Sequence, residues 1–334
     1  MRRVRGAGSL DRSGPPHPNP LPKWGEGAHR DRGTAVDPNN AGSELVVRES
    51  PGEISIQGKV VVITGATSGI GRLAAEKLAA MGARLILVAR DRIRAETTLA
   101  RLRELNPGAP HRVCFADLSR LAEMKRAGRE IAAAEPRIDV LVNNAGAIFG
   151  RRTVTEDGLE ATFATNHMGY FVLTQMLRDP LAAAAPSRVV NTASGAHNRA
   201  KLDFADLQLA KDYRGLKAYG RSKLCNILFT RELARRWAGA GVTVNCLHPG
   251  FVATRLGRRD SHPLAFLIRF AMLFAGQAEK GAQTIVHLAS APEVADVSGG
   301  YFYERRQITP SLEAQNDATA QRLWMESARL AGVE

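Results

Sequence analysis

Cysteine is scarce in this sequence, and long apolar runs are missing from it. Three cysteines occur among 334 residues, Cys114, Cys225 and Cys246, and no two of them form a CxxC pair. We therefore expect neither a disulfide framework nor a metal site, and a reducing compartment fits this usage. No stretch reaches the roughly 18 consecutive apolar residues of a membrane-spanning helix. The longest candidate, residues 264–275, is shorter and contains Arg269, so we predict no membrane span.

An apolar export signal and a concentrated block of charge are missing as well. Gly, Ser, Pro and Asp follow Arg2 and Arg3, where an export signal needs an apolar core, so we predict a cytoplasmic location. The 46 basic and 33 acidic residues give a net charge of +13, a first sign of nucleic-acid binding. The basic residues nevertheless stand in scattered pairs, for example Arg235-Arg236, without interleaved aromatic residues. We expect a solvated, arginine-rich surface and no nucleic-acid partner.

The first part of the chain differs in composition from the rest. Residues 1–52 are rich in Pro, Gly, Asn and Arg and have no apolar periodicity, so little offsets the entropy of ordering them. We predict a disordered N-terminal tail there. The run at residues 15–27 resembles a translated intergenic repeat, and we hypothesise that the native start codon lies downstream. Residues 53–334 are predicted to form one domain, because no second series of strands and helices begins before the end of the sequence.

From Lys59 onward, short β-branched runs alternate with longer amphipathic segments. The predicted strands are residues 60–64, 85–89, 113–116, 140–143, 188–192 and 242–247. Segments with helical apolar spacing stand between them, for example residues 73–81 and 121–131. Apolar strands that alternate with helices predict an α/β fold: a Rossmann-like, doubly wound parallel sheet in three layers.

A glycine-rich turn follows the first predicted strand and leads directly into a helix. The sequence from Thr64 to Gly71 is TGATSGIG. Glycines let the backbone turn tightly and let a pyrophosphate approach, and the helix N-terminus adds N–H groups and a positive dipole end. Glycine also ends strands for steric reasons alone. The strand before this turn and the helix after it favour a dinucleotide site.

The second predicted strand ends at Arg90, where NAD-binding folds place a carboxylate for the adenosine ribose. A guanidinium can instead bind a 2′-phosphate through two parallel N–H groups. We therefore predict NADP(H) as the preferred cofactor and NAD(H) as the second choice. The alternative, in which Arg90 is a surface residue and Asp91 binds the ribose, stays open.

A tyrosine and a lysine stand one helical turn apart in the second half of the chain. Tyr219 and Lys223 have the i,i+4 spacing that places both on one helix face. A phenol is a weak acid or base at neutral pH, and a neighbouring ammonium would lower its pKa. Tyr213 and Lys217 have the same spacing, but only Tyr219 begins a long amphipathic pattern, which continues to Trp237. We choose Tyr219 and interpret Tyr213 as a packing or surface residue.

Other polar residues stand at the ends of predicted strands or within a predicted helix. Ser194 follows the fifth strand, at the sheet edge where α/β folds bind ligands, although turn propensity alone also explains a serine there. Asn143 and Asn144 end the fourth strand and suit either cofactor contact or the capping of sheet ends. Asn166 interrupts a helix-like segment, which invites an explanation because Asn is a poor helix former. A surface asparagine is the alternative.

Taken together, these segments resemble the short-chain dehydrogenase/reductase family over residues 57–303. The matching segments are residues 64–71, Asp117-Leu118, residues 143–146, Asn166, Ser194, residues 219–223 and Pro249-Gly250. TFATNHMGYF from Thr162 and SKLCNILF from Ser222 are similar to its retinol-dehydrogenase-like branch. The resemblance implies hydride transfer between a nicotinamide and a small carbonyl or alcohol, with a lipophilic substrate expected. Protochlorophyllide reductases share this pattern, so a pigment-like substrate stays open.

The resemblance also implies roles for single residues. Tyr219 would be the general acid/base, and Ser194 would orient and polarise the carbonyl. Lys223 would bind the nicotinamide ribose and lower the pKa of Tyr219, while Asn166 would hold a water that relays protons to Lys223. Asp117 would contact the adenine, and Asn143 would line the ribose. The residues expected to bind the cofactor, besides Tyr219 and Lys223, are Gly65, Thr67, Ser68, Gly69, Ile70, Gly71, Arg90, Asp117, Leu118, Asn143, Ala145, Gly146, Pro249, Gly250, Val252 and Thr254.

Three further expectations concern assembly, the substrate and the class of protein. The resemblance implies a homodimer whose interface helices include residues 216–237. The apolar segment at residues 263–274 is predicted to be a substrate lid, with a membrane-surface helix or a dimer contact as alternatives. A non-catalytic NADP(H)-binding regulator is the rival function, because a fold does not by itself imply chemistry. The intact set of Ser194, Tyr219 and Lys223 favours an enzyme.

Overall fold

The strands of this protein form one twisted layer, in a computed structural model that describes residues 56–250 and 278–333. The strands are β1 Val60–Thr64, β2 Arg84–Ala89, β3 Arg112–Phe115, β4 Val140–Asn143, β5 Ser187–Thr192, β6 Val242–Leu247, β7 Tyr301–Tyr303 and β8 Arg306–Gln307. Their order in the sheet is β3-β2-β1-β4-β5-β6-β7-β8. Neighbours are parallel from β3 through β7, and β8 is antiparallel to β7. The predicted tail at residues 1–52 and the predicted lid at residues 263–274 lie outside the described residues.

Helices connect these strands on both sides of the sheet. They are α1 Gly69–Ala80, α2 Arg92–Leu105, α3 Leu121–Ala134, α4 Ala161–Phe163, α5 Gly169–Met176, α6 Arg178–Ala183, α7 Gly215–Arg236, α8 Ala278–Ser290 and α9 Asp317–Ala331. A π-helical turn, Ala164–Met168, joins α4 to α5, and a 3₁₀ turn, Gly195–Arg199, follows β5. In the described ranges, none of these helices is both long enough and apolar enough to cross a bilayer.

The two faces of the sheet bury separate apolar cores. Val61 and Ile63 of β1 pack in the same cluster as Leu78 of α1 and Ile285 of α8. Val62, between them in sequence, packs in the cluster formed with α3, α5, α7 and α9. Successive side chains of a strand point to opposite faces, so a strand covered on both sides needs a continuous apolar run. This arrangement confirms the predicted three-layer α/β fold.

The strands β7 and β8 form a short hairpin that the sequence analysis did not predict. Their turn residues, Glu304 and Arg305, have φ values of 46° and 65°. A two-residue hairpin turn of this kind normally carries Gly, Asn or Asp, whose absence here removed the sequence signal. The hairpin extends the sheet beyond β6 and brings Tyr301 and Tyr303 next to His248.

The C-terminal helix α9 packs against α7 and α5 of the same chain. The Trp324 ring stacks on Phe229 of α7, with centroids 5.9 Å apart, and meets Phe171 of α5 edge-on at 5.1 Å. The guanidinium of Arg236 lies 4.5 Å from the centre of the Trp324 ring. Ser327 hydrogen-bonds His167 inside the protein at 2.8 Å. Part of the helix at residues 216–237, predicted to form a dimer interface, therefore already has an intramolecular partner.

Candidate functional site

The carboxyl ends of β1, β4 and β5 meet at one edge of the sheet, and hydrogen bonds join the loops that follow them. The Thr64 hydroxyl accepts hydrogen bonds from the backbone N–H groups of Asn144 and Ala145, both at 2.9 Å. The Asn144 amide donates to the carbonyls of Thr64 and Gly65 at 3.2 and 3.1 Å. The glycine-rich turn after β1 is thereby fixed to the loop after β4.

The three glycines of the turn have different steric surroundings. At Gly65, which has a φ of +68°, a Cβ atom would stand 2.6 Å from the Ala145 Cα atom. At Gly71, a Cβ atom would stand 2.3 Å from both the Asn144 amide nitrogen and the Gly65 carbonyl oxygen. At Gly69, which has a φ of +54°, nothing lies within 4 Å of that position. Gly65 and Gly71 thus allow close packing, and Gly69 leaves space above the turn.

The N-terminus of α1 opens into this space. Ser68 is the N-cap residue, but its side chain makes no capping hydrogen bond, and no acidic residue lies in the first turn. The free N–H groups and the positive end of the helix dipole suit an anion. The open position above Gly69 gives a pyrophosphate room to approach them, so this turn fits a dinucleotide cofactor.

Two predicted cofactor residues pack together beside this turn. A Cβ atom at Gly281 of α8 would stand 2.6 Å from the Pro249 side chain and 3.3 Å from that of Ile70. Helix α8 therefore holds Pro249 and Ile70 side by side. Gly250 follows with a φ of +110°, and the predicted cofactor residues Val252 and Thr254 lie outside the described residues.

The charged residues at the ends of β2 and β3 favour Arg90 over Asp91 as the residue that faces the cofactor. Arg90 is 74% exposed, and its guanidinium lies 3.4 Å from the Asp117 carboxylate. Burial raises the pKa of Asp117, but hydrogen bonds from Ser119 and the charge of Arg90 outweigh it and lower that pKa below its usual value. The Asp91 carboxylate instead caps α2 by accepting a hydrogen bond from the Arg94 backbone N–H at 3.0 Å. Arg90 is thus an exposed cation at this edge, paired with the half-buried Asp117, and Asp91 has a structural partner.

Two of the predicted cofactor contacts have side chains in the protein interior. Asn143 is fully buried, and its amide donates to Asn191 at 2.9 Å and to Thr174 at 3.0 Å. Its side chain therefore joins β4 to β5, and its expected place along the ribose stays a prediction. Its neighbour Asn144, which we did not place in the cofactor set, is the residue that holds the glycine-rich turn. The Leu118 side chain is also buried, against Gly169 of α5.

Tyr219, Ser194 and Lys223 come together although the serine and the tyrosine are 25 positions apart in the sequence. The Ser194 side chain hydrogen-bonds the Tyr219 hydroxyl. The Lys223 ammonium lies 5.6 Å from the centre of the Tyr219 ring and donates to the Thr192 carbonyl at 2.9 Å. The Thr192 carbonyl also accepts from Asn226 at 3.2 Å. The end of β5 thus provides both the serine and the backbone oxygen that holds the lysine.

The pKa values of this pair differ from the expectation drawn from the sequence. Burial raises the pKa of Tyr219 to about 12, and the hydrogen bond from Ser194 opposes that rise. Burial lowers the pKa of Lys223 to about 7, so this lysine is only partly charged at neutral pH. We predicted that the lysine lowers the pKa of Tyr219. In the protein without cofactor the pKa of Tyr219 is raised instead, because burial has the larger effect on the pKa of both groups.

Asn166 lies in the π-helical turn between α4 and α5, fully buried. Its carbonyl oxygen accepts from the Ala147 backbone N–H at 2.7 Å, and its amide donates to the Ala147 carbonyl at 2.9 Å. A Cβ atom at Gly146 would stand 3.5 Å from the Lys223 nitrogen and 3.6 Å from the Asn166 oxygen. Asn166 is therefore no surface residue; it fixes the loop after β4 beside Lys223, at a helix irregularity typical of functional sites.

The second tyrosine-lysine pair lies elsewhere. The Tyr213 hydroxyl lies 2.9 Å from the Phe149 carbonyl oxygen and 3.1 Å from the Glu160 carboxylate. Lys217 pairs at 3.4 Å with Asp212 on the surface. Tyr213 therefore connects loops by packing and hydrogen bonding, as the sequence analysis proposed.

Gly220 is a site residue that the sequence analysis missed. A Cβ atom there would stand 3.0 Å from the Ala196 carbonyl oxygen. Glycine inside a helix costs about 1 kcal/mol relative to alanine, and here it lets α7 approach the turn that carries Ser194. The sequence contained this signal, because a helix-weakening residue directly follows Tyr219.

Comparisons with known proteins show the family of this chain. The sequence model of the short chain dehydrogenase family matches residues 59–264. Retinol dehydrogenase 13 from Homo sapiens is 42% identical over 290 residues, which cover 85% of this chain and 88% of that protein. Retinol dehydrogenase 12 from Mus musculus is 41% identical over 281 residues, which cover 84% of this chain and 89% of that protein.

Solved structures have the same fold. A crystal structure of a protein from Mycobacterium paratuberculosis has a TM-score of 0.68 and 30% identity, covering 84% of this chain and 96% of its own. An RhlG/NADP active-site complex from Pseudomonas aeruginosa has a TM-score of 0.58 and 29% identity, covering 75% of this chain and 96% of its own.

Proposed function

This chain belongs to the short chain dehydrogenase family, as an oxidoreductase of CH–OH groups, and from that premise we propose an NADP(H)-dependent enzyme that reduces a lipophilic carbonyl compound. The observation that carries the cofactor preference is at the end of β2, where Arg90 is exposed and Asp91 caps a helix. An exposed guanidinium at this position, held only by an ion pair with Asp117, suits a 2′-phosphate. The similarity to retinol dehydrogenases and to an NADP complex supports the two finer parts of the proposal.

The nicotinamide, when bound, would supply or accept the hydride. The chain's own residues then have to hold the carbonyl and move a proton. With its pKa raised to about 12, Tyr219 is protonated at neutral pH and can donate a proton to a developing alkoxide. The Ser194 hydroxyl, next to that of Tyr219, can hydrogen-bond the same oxygen.

Lys223 and Asn166 would help to return a proton to Tyr219 after it has donated its own. Lys223 has a pKa of about 7, so near neutral pH it can both hold and release a proton. Its ammonium is held by the Thr192 carbonyl and lies beside the loop that Asn166 fixes. We propose that this loop and Lys223 bind the nicotinamide ribose. Asn166 would hold a water, as the family resemblance implies.

Turnover of the purified protein tests the proposed function directly. We expect NADPH oxidation with a panel of lipophilic aldehydes and ketones, retinal-like aldehydes included, and slower oxidation of NADH. Tight NADPH binding without turnover of any carbonyl compound would instead favour the rival non-catalytic regulator. Turnover of small hydrophilic ketones alone would contradict the lipophilic substrate.

The cofactor preference is tested by Arg90→Asp. We expect the Kd for NADPH to rise by about 10- to 100-fold, because a charge-assisted phosphate contact is lost and a like charge is introduced. Affinity for NADH should stay within a few-fold. Arg101→Asp is the matched control, since Arg101 is an exposed arginine of α2 paired with Glu104, away from the strand end. An unchanged NADPH preference in Arg90→Asp would remove the argument for NADP(H).

Two further predictions concern the state of the protein in the cell. The homodimer implied by the resemblance would use the part of α7 that α9 does not cover. Light scattering of the purified protein should then give the mass of two chains. A cytoplasmic location stays a prediction from the sequence, which cell fractionation would test.

A further inference from the structure

A histidine outside the predicted catalytic set lies directly behind Ser194. His197, in the 3₁₀ turn after β5, is 1% exposed. Its ring nitrogen Nδ1 lies 2.8 Å from the Ser194 carbonyl oxygen, and its backbone N–H donates to the same oxygen at 3.1 Å. Two groups of one residue therefore meet a single acceptor on the serine.

The C-terminal segment decides which ring nitrogen of His197 carries the proton. The backbone N–H of Ser311 points at Nε2 from 3.2 Å. A backbone N–H can only donate, so Nε2 must accept, and in the neutral ring the proton must lie on Nδ1. The Nδ1–H group then donates to the Ser194 carbonyl. Burial lowers the pKa of His197, which keeps the ring neutral at ordinary pH.

The ring has few other neighbours that compete for this proton. The Tyr301 hydroxyl lies 3.4 Å from Nδ1, farther than the Ser194 carbonyl, and the Tyr301 ring meets the imidazole edge-on at 5.2 Å. His248 lies beyond Tyr301, with a pKa that burial lowers to about 4. Both histidines are thus neutral near pH 7 and do not repel each other.

These contacts fix both ends of the catalytic serine. The Ser194 hydroxyl accepts from the Ala196 backbone N–H at 3.2 Å, while the Ser194 carbonyl is held by His197. With one lone pair of the hydroxyl engaged, its own hydrogen is left to point at Tyr219, where the hydrogen bond lies. The contact of Lys201 with Glu313, at 3.4 Å, also joins the C-terminal segment to the end of this turn.

We propose that His197 is a positioning residue for the reaction: its neutral Nδ1–H tautomer, set by the Ser311 backbone N–H, fixes Ser194 so that the serine hydroxyl stays on Tyr219. This inference rests on the proposed function, because it assigns a role within the same site. It also assigns a role to the chain segment after β8, which reaches the site through one backbone N–H group.

Two substitutions at His197 separate the hydrogen bond from the bulk of the ring. His197→Phe keeps an aromatic ring but has no donor, and we expect kcat to fall by about 10- to 100-fold, as a displaced oxyanion donor does. His197→Asn carries its amide nitrogen on Cγ, where histidine carries Nδ1, and should recover most of that loss. The Kd for NADPH should stay within about 2-fold in both, because the phosphate-binding turn is untouched.

A second pair of variants tests the C-terminal contact. Ser311 has a φ of −58°, which suits proline. Ser311→Pro therefore has a compatible φ, removes the N–H group and directs its Cδ atom at Nε2, so it breaks this contact and displaces the ring, whereas Ser311→Ala removes only the hydroxyl. We expect the proline variant to have a kcat at least about 3-fold below that of the alanine variant.

Two readouts distinguish positioning from a loss of folding. Because the Ser194 hydrogen bond lowers the pKa of Tyr219, His197→Phe should move the pH profile of kcat/KM to higher pH. Nitrogen NMR of the wild-type ring should show the proton on Nδ1. A proton on Nε2, or a His197→Phe enzyme with wild-type kcat and pH profile, would overturn this inference while the proposed function stands. A wild-type protein without any turnover would instead defeat the proposed function, and this role for His197 with it.

Discussion

Replacing Tyr219 by phenylalanine is expected to lower kcat by about 10²- to 10⁴-fold, the usual contribution of a positioned general acid. The change removes the hydroxyl that Ser194 contacts and leaves the ring, beside which Lys223 lies at 5.6 Å. Because the glycine-rich turn and Arg90 are not affected, the Kd for NADPH should change by less than about 3-fold. Single-turnover kinetics with a saturating aldehyde separate this loss of chemistry from a loss of binding.

The chain contains a matched control for this experiment. Tyr213 has the same spacing to a lysine, but its hydroxyl contacts the Phe149 carbonyl and the Glu160 carboxylate. Tyr213→Phe should therefore reduce stability by about 1 kcal/mol and leave kcat within a few-fold of the wild type. If Tyr219→Phe retained kcat, or if Tyr213→Phe lost as much, the assignment of the acid/base residue would be wrong.

Short-range patterns predicted the central strands well because β1, β2, β4, β5 and β6 are buried along nearly their whole length. The bounds of β1, β4 and β6 agree with the prediction at both ends, since turn residues limit these apolar runs. The hairpin of β7 and β8 had no such signal: its strands have three and two residues, and its turn lacks glycine. Its position is set by pairing with β6, a contact between distant parts of the chain.

Contacts between distant parts of the chain also explain what the sequence analysis missed at the site. The sequence placed Asn143 and Asn144 together at a strand end, but which amide faces the turn follows from the alternation of side chains about β4. The role of His197 depends on the distant Ser311, and no local pattern contains that pair. Family resemblance predicted the site residues as a set, and the packing of the folded chain determined their pKa values.

The docking of α9 could not be predicted from the sequence either. The apolar face of α7 is readable in the sequence, but a pattern of apolar residues does not say what covers it. In the structure Trp324 and Ser327 of the same chain contact that region. The resemblance had assigned the same helix to a second subunit, which shows that helix amphipathicity specifies burial but not the partner.

Lys223→Met is expected to abolish most activity and yet to stabilise the protein. The lysine is 2% exposed, and its pKa is about 7 in the folded chain against an ordinary value of 10.5. A lowered pKa in a base means that the unfolded chain binds more protons between these two values. Below about pH 7 the folded state bears the full penalty of the buried cation, roughly 5 kcal/mol at 1.36 kcal/mol per pH unit. Loss of the hydrogen bond to Thr192 offsets about 1 to 2 kcal/mol of that gain.

We therefore expect Lys223→Met to raise the free energy of unfolding by about 3 kcal/mol near pH 6, measured by urea denaturation. The advantage should shrink as the pH rises from about 7 toward 10, because the wild-type lysine then enters the folded state uncharged. Lys217→Met is the control, because Lys217 lies on the surface beside Asp212. The free energy of unfolding of this variant should stay within about 0.5 kcal/mol of the wild-type value at every pH.

A Lys223→Met protein that is less stable than the wild type at acidic pH would contradict this account of the site. A stability difference that does not change with pH would contradict it too, since the lysine would then have an ordinary pKa. If the expected result is obtained, the burial that weakens the fold is also what brings the Lys223 pKa to about 7. A proton can leave and return at neutral pH only because the lysine is buried, so stability and the proposed proton supply of Tyr219 are opposed at this one residue.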